Sequence, residues 1–376
     1  MNKFSICTRC VSDTTIKDIV FDDHGVCNFC KLHDIFEGTH PLNETGEQNL
    51  EKLIAQIKKS GKTHTYDCII GVSGGRDSTY LLYVARKLGL RPLAVHVDNG
   101  WNNEIAVSNI KAATEILGID LYTFVLDWEE FKDLQRAFLK AGVNDADANF
   151  DYVANSALFR TAYKEKIKYV LNGHSFRTEG NNSKTWTYID PRYLKDVYIK
   201  YGDDKIKTLP IMSLFEFLYY VLINKIKEIR LLEYIEYDQQ KVSELIKNEL
   251  NWKYYGGHHH DNTYTQFFQS YYLPVKFNID KRKNEYSALI RSGQITREHA
   301  LEELKTPYPI DNEIVKYAIK KLDFSEAEFE QIMNTPNKSF RDFKNLLGLI
   351  KILKFPIKIA AKGNLVPKIL YEKYAK

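Results

Sequence analysis

Residues 73–78 read Ser73-Gly74-Gly75-Arg76-Asp77-Ser78, and their types and spacing suit the capture of an anion. Two glycines let backbone amides approach a phosphate with no Cβ in between, while Ser73 and Ser78 offer hydroxyl donors. The Gly-Lys-Ser/Thr ending of a Walker-type phosphate loop is missing, so that mode of triphosphate binding is not the one written here. A second reactive set stands nearer the start, as Cys7-Thr8-Arg9-Cys10 and Cys27-Asn28-Phe29-Cys30. Two Cys-x-x-Cys pairs can bring four thiolates to the corners of a tetrahedron, the arrangement Zn2+ prefers, with an iron-sulfur cluster or a redox pair as the alternatives. Cys68 lies inside a run of apolar residues and reads as a buried, inert thiol.

The loop and the cysteines must be held by something. Tyr66 to Val72 is a short run with β-branched Ile69, Ile70 and Val72, the pattern of a strand buried on both faces. A helix is expected just past Asp77, with Leu81, Leu82, Ala85 and Leu88 on one face and Gly89 at its end. Its amino terminus adds partial positive charge to the loop. Further strands are predicted at Pro92 to Val97, Leu121 to Leu126 and Lys168 to Asn172. Helices are predicted at Glu47 to Ser60, Glu104 to Leu117, Trp128 to Ala141 and Asp151 to Lys166. This alternation predicts a doubly wound parallel α/β sheet with ligands at the carboxyl ends of its strands.

Ser-Gly-Gly-x-Asp-Ser after the first strand resembles the PP-loop of the ATP pyrophosphatases, the adenine nucleotide alpha hydrolase-like fold. The resemblance implies cleavage of ATP between its α and β phosphates and transfer of AMP to an oxygen of the substrate. It implies phosphate binding by Ser73, Gly74, Gly75, Asp77 and Ser78, with Asp77 either a ligand for Mg2+ or a helix cap and Arg76 neutralising pyrophosphate. In Val95-His96-Val97-Asp98-Asn99-Gly100 it implies that backbone near Val97 reads the adenine edge and that Asp98 meets the ribose or Mg2+. In Leu171-Asn172-Gly173-His174 it places Gly173 beside the α phosphate, with His174 as a phosphate donor and Glu179 a weaker candidate.

A narrower likeness rests on Cys7-Thr8-Arg9-Cys10, Phe21-Asp22-Asp23-His24-Gly25-Val26-Cys27 and a distal block. That block includes Gly256-Gly257-His258-His259, Phe267-Phe268-Gln269-Ser270-Tyr271-Tyr272-Leu273-Pro274 and 276–298. Together they resemble the N-acetyl sugar amidotransferases of the WbpG or PseA type. The family reading implies conversion of a sugar acetamido group into an acetamidino group in surface polysaccharide or glycan synthesis. Ammonia would come from a separate glutaminase, HisH-like, with a HisF-like cyclase subunit, because every early cysteine is paired and no glutaminase nucleophile is visible. Lys281, Arg282 and Arg291 are candidate ligands for the acceptor. A PP-loop enzyme that thiolates tRNA and a noncatalytic module binding ATP and zinc are the competing readings.

The chain has 376 residues, enough for more than one domain. The expected division is a zinc module at 1–40, the PP-loop domain at 41–210 and a mainly helical region for substrate or partner at 211–376, with helices at Ser213 to Glu228 and Gln240 to Leu250. A net charge of +4 is too small to argue for nucleic acid. No export signal and no membrane-spanning run is visible, so a cytoplasmic protein is expected. The internal run His258-His259-His260 with its adjacent aspartate reads as a polar loop, with a second metal site as the alternative. Beyond Phe340 lysines alternate with apolar residues, a helix expected to pack on its own domain, with a membrane or partner surface as the alternative.

Overall fold

A computed structural model of the protein describes residues 4–180, 183–257, 259–363, 366, 371 and 372. The second cysteine pair opens α1 (Asn28–Thr39), and α2 (Glu44–Gly61) follows a tight corner capped by the Asn43 side chain. β1 (Cys68–Gly71) then leads straight into α3 (Arg76–Lys87). Cys68 and Ile70 face one core and Ile69 the other, as expected for a strand with helices on both sides. β2 (Pro92–Asp98), α4 (Glu104–Leu117), β3 (Leu121–Val125), α5 (Trp128–Ala141), α6 (Ala148–Lys164) and β4 (Tyr169–Asn172) complete the alternation. Asn103 and Asp127 cap α4 and α5, and left-handed Gly118 and Gly142 end them.

α7 (Pro191–Tyr201) and the short α8 (Leu214–Leu218) come next. The expected long helix after Ser213 stops early. Ser213 and Glu216 form a capping box, but α8 widens into a π-helical turn (Tyr219–Ile223), Lys225 takes a positive φ, and Lys227–Arg230 forms β5. Only Ile229 of β5 is buried, so its four residues carry no alternation to betray a strand. The sheet therefore extends past the boundary expected at residue 210. Its order is β3-β2-β1-β4-β5, all parallel, with β1 flanked by β2 and β4.

The rest is helical: α9 (Gln239–Leu250), α10 (Thr263–Phe267) continuing through a π-helical stretch (Phe268–Phe277), α11 (Arg282–Arg291), α12 (Arg297–Glu303), α13 (Asn312–Lys321), α14 (Glu326–Asn334), α15 (Leu347–Ile352) and α16 (Lys354–Lys362). α9 lies against α3 and α4 in the sheet's own core. The aromatic block from Tyr264 to Phe277 shares a core with α5, α7, α13 and α14. Among the described residues no helix is long and apolar enough to cross a membrane.

Candidate active site

The strand order reverses between β1 and β4, the switch point at which an open parallel sheet leaves a crevice. A cleft of about 580 Å³ opens there, floored by residues 71–78 after β1 and by Asn172, Gly173 and His174 after β4.

The loop's shape is forced by its neighbours. Gly74 has φ +80°, and a Cβ on it would lie 2.1 Å from the Ala106 carbonyl oxygen. Its own carbonyl is held from behind by Asn109 Nδ2 at 3.2 Å and Trp252 Nε1 at 3.1 Å. The Ser73 amide donates to Ser78 Oγ at 3.2 Å, and the Gly75 amide to Ser73 Oγ at the same distance. No side chain caps α3, which leaves its first amides for a ligand. Gly173 sits against this helix start, where a Cβ would meet the Asp77 carbonyl carbon at 3.1 Å.

Asp77 is not a helix cap. Its carboxyl is hydrogen-bonded by Tyr237 and meets Arg76 Nε at 3.3 Å, with the Glu179 carboxyl close by. Burial, with the Glu179 charge behind it, pushes Asp77 well above the ordinary carboxylate range. Burial would raise Glu179 as well, but His174, whose Nδ1 lies 2.7 Å from Glu179 Oε2, together with Asp77 and His259 outweighs it and holds Glu179 low. The proton of the pair therefore sits on Asp77, and a line of polar groups runs Tyr237, Asp77, Glu179, His174.

At the end of β2, Val97 lines the cleft. Asp98 instead closes the following turn, accepting from the Gly100 amide at 2.9 Å and Asn102 Nδ2 at 2.8 Å. His96 is the residue that faces the site. Its Nδ1 donates to the Val72 carbonyl at 3.0 Å, since a carbonyl only accepts, and its Nε2 lies 3.1 Å from Asn102 Nδ2.

The opposite wall comes from α6, from the chain around Trp186 and Thr187, and from Thr265, Phe268, Gln269 and Lys281. Asp145, Asp147 and Asp151 stand there with Trp186, Phe268 and Gln269. Lys281 is in the cleft and donates to Thr187 Oγ1 at 2.9 Å. Arg282 is outside it, bound to Asp280 at 2.6 Å and to the Thr306 carbonyl. Arg291 is remote from it, donating to Cys30 Sγ at 3.3 Å and Cys10 Sγ at 3.5 Å. His259 and Asp261 line the loop side, His260 reaches Tyr308 at 3.3 Å, and His258 lies outside the described residues. Sequence reasoning missed His96, Tyr237 and Tyr255. The first stood in a motif already singled out, whereas the two tyrosines carried no signal in a chain with 25 of them.

Cys7, Cys10, Cys27 and Cys30 are buried together, with their sulfurs within 4.8 Å of one another. Separations of 3.8, 3.7 and 3.6 Å are far too long for disulfides. They match the ~3.8 Å edge of a tetrahedron with Zn–S bonds near 2.3 Å. Amides of Arg9 and Cys27 donate to Cys7 Sγ, an environment suited to thiolate. Among the described residues this is the one cluster of His, Cys, Asp and Glu close enough to share an ion.

The parallel sheet, the glycine loop at its switch point and the amino-terminal four-cysteine cluster define a PP-loop protein with a zinc-knuckle-like module. Residues 261–354 match the family described as "LPS biosynthesis protein WbpG-like, C-terminal domain". That stretch, a quarter of the chain, is thus similar to a WbpG-like carboxy-terminal domain. A curated relative, the tRNA(Ile)-lysidine synthase of Chlamydia pneumoniae, is 30% identical over 100 residues, which is 24% of this chain and 31% of that one. The chain thus spans under a third of that relative's length. Two solved structures are matched more broadly but superpose loosely. NMN synthetase from Francisella tularensis is 16% identical over 78% of this chain and 92% of its own, with a TM-score of 0.30. The U34-tRNA thiolase from Methanococcus maripaludis is 16% identical over 86% and 98%, with a TM-score of 0.32.

Proposed function

We propose that the protein is an ATP-dependent PP-loop enzyme that converts an acetamido group of a sugar into an acetamidino group. The observation that carries this reading is the composition of the cleft. One wall is the phosphate loop after β1 with Asp261 beside it, and the other includes Thr265, Phe268, Gln269 and Lys281; these last five residues all fall within the segment matched to the WbpG-like family.

The chemistry explains such a two-sided cleft. An amide is resonance-stabilised and its oxygen leaves poorly. In the proposed reaction that oxygen attacks the α phosphorus of ATP, the bond to the bridging oxygen of the β phosphate breaks, and pyrophosphate departs. Loop amides, Ser73, Ser78 and Arg76 would hold the departing charge in place. Mg2+, which prefers one or two carboxylates plus phosphate oxygens, would find Asp261 beside the loop, and Asp77 as a second ligand once the ion displaces its proton. Ammonia then adds to the adenylated carbon, a proton passes from the new nitrogen to His174, and AMP leaves with the former amide oxygen. Glu179, held ionised, would stabilise the imidazolium so formed.

No cysteine lines the cleft, and Cys68 is fully buried in β1, so the chain itself offers no thiol there to carry sulfur or to hydrolyse glutamine. Ammonia would be supplied by a separate glutaminase with its cyclase-like subunit.

The test is to incubate the protein with ATP, Mg2+, ammonium and a panel of acetamido sugars, free and nucleotide-linked. Pyrophosphate and AMP should appear with a product lighter by the difference between O and NH. Stoichiometric AMP formation with every sugar unchanged, or with tRNA as the modified product, would sink the proposal.

A further inference from the structure

From Phe343 to Tyr371 the sequence holds six lysines and no aspartate or glutamate. Subtracting those six from the overall +4 leaves the rest of the chain at −2, so the basic charge is concentrated here. The base of this segment is anchored: the Lys344 amide donates to Asp196 and the Leu346 amide to Asp190, both at the α7 end of the body. Beyond Leu347 the segment touches the body again at Ala361, which is buried, and at Val366, which packs against the core beside β4 and β5. Of α15 and α16 only Ala361 is buried, whereas Ile352, Phe355 and Ile359 are 80%, 71% and 57% exposed.

These side chains are not scattered. Ile352, Phe355 and Ile359 recur at helical spacing, with Leu349 and Leu353 extending the same apolar stripe. Lys351, Lys354, Lys358 and Lys362 recur at the same spacing one position out of phase, which makes a basic stripe alongside. The packing on its own domain expected from sequence would bury the apolar stripe, and it is open instead.

We propose that α15 and α16 form a contact with an anionic lipid surface, the apolar stripe entering the acyl boundary and the lysines meeting lipid phosphates. Three features select this occupant. The lysine stems can lie along apolar surface while their ammonium groups reach the headgroups. A second copy docked face to face would bring one basic stripe against the other. A nucleic acid would engage the lysines but has no use for Ile352, Phe355 and Ile359. The proposal is independent of the reaction in the cleft.

The full chain should be sedimented with vesicles of phosphatidylcholine alone and of phosphatidylcholine with roughly a third phosphatidylglycerol. We expect binding to the second only, weakened by added salt. Replacing Lys351, Lys354, Lys358 and Lys362 together by Gln should lower the partition coefficient by more than about a hundredfold. The pair Ile352→Ser and Phe355→Ser should lower it about tenfold or more. All six side chains are exposed, so circular dichroism and thermal midpoint should not change and serve as the folding control. Binding to neither vesicle, or equally to both, overturns the proposal. So does concentration-dependent dimerisation that Phe355→Ser removes, or nucleic-acid binding indifferent to that change.

Discussion

Arg291 Nε donates to Cys30 Sγ at 3.3 Å, although the two residues lie 261 positions apart. The guanidinium also reaches Cys10 Sγ, while Arg297 donates to the carbonyls of Cys7 and Cys10 at 2.9 and 3.1 Å. The cysteine module is therefore clamped by the helices that follow Lys281. α11 carries that clamp into the cleft, because Asn284 of the same helix donates to the Glu179 carbonyl and Lys283 pairs with Asp13 at 2.7 Å. Arg291→Ala should weaken zinc retention by about 10- to 100-fold, the usual cost of removing a partner of a metal ligand. Competition with a chromogenic chelator measures this, and zinc release at the wild-type rate would show that the contact is incidental.

Gly74 gives a sharper test of the loop. A Cβ 2.1 Å from the Ala106 carbonyl oxygen, at φ +80°, cannot be accommodated without moving backbone. Gly74→Ala should reduce ATP-dependent pyrophosphate release by more than about a hundredfold and destabilise the fold by a few kcal/mol. Gly118, also left-handed but with nothing within 4 Å of its Cβ position, is the control. Gly118→Ala should cost about 1 kcal/mol and leave turnover intact. Equal effects of the two changes would mean that the loop tolerates a Cβ.

The parts legible in sequence were those written in local rules. β1, its loop and α3 follow from a short β-branched run, two glycines and a helical stripe, and the four cysteines follow from spacing. What was not legible depends on chain segments far apart. Arg291 stood in a basic run that resembled an anion site, and only the fold shows its guanidinium turned to the thiols. Tyr237 meets Asp77 from 160 residues away. Asp98 shares its strand face with His96, two residues before it, but stands at the end of β2 and is spent on the Gly100 amide and Asn102 Nδ2 of the following turn, a use that only the folded turn reveals.

Glu179 and His174 make a separable pair. Glu179→Gln keeps the shape but removes the charge that would hold a proton on the ring, and it leaves Asp77 without its ionised neighbour. Amidine formation should fall by about 10²- to 10⁴-fold in His174→Gln and by less in Glu179→Gln. ATP affinity, read by calorimetry, should stay within about threefold in both. If binding of ATP were lost together with turnover, His174 would be a phosphate ligand and not a proton acceptor.

Asp145 should imprint a pH dependence on stability. It is 3% exposed, and burial pushes its carboxyl from 3.8 up to about 7 against the opposing hydrogen bond from Tyr193. Between these values the folded protein keeps a proton that the unfolded chain has released. Its contribution to stability therefore declines as pH rises through that window and is level above about 7. Asp145→Asn has no such proton to lose and keeps an acceptor for Tyr193. Relative to wild type, its stability should rise on the order of 2 kcal/mol between about pH 4.5 and pH 8. Urea titrations at the two pH values measure the difference, and parallel curves would place the Asp145 titration outside this range.

Lys281 is where acceptor recognition and ATP chemistry can be told apart. It comes from the WbpG-like segment, bonds Thr187 across the cleft, and is surrounded by the carboxyl groups of Asp145, Asp147 and Asp151 rather than by the phosphate loop. A lysine so placed offers one positive charge to an acceptor and leaves ATP to the loop on the other wall. Lys281→Met should raise KM for the acetamido sugar by about tenfold or more, with KM for ATP unchanged within about twofold. An acceptor bearing a carboxylate should lose more than its neutral analogue, because only the former gives up an ion pair. If Lys281→Met instead raised KM for ATP and spared the acceptor, the two ends of the cleft would have to be exchanged.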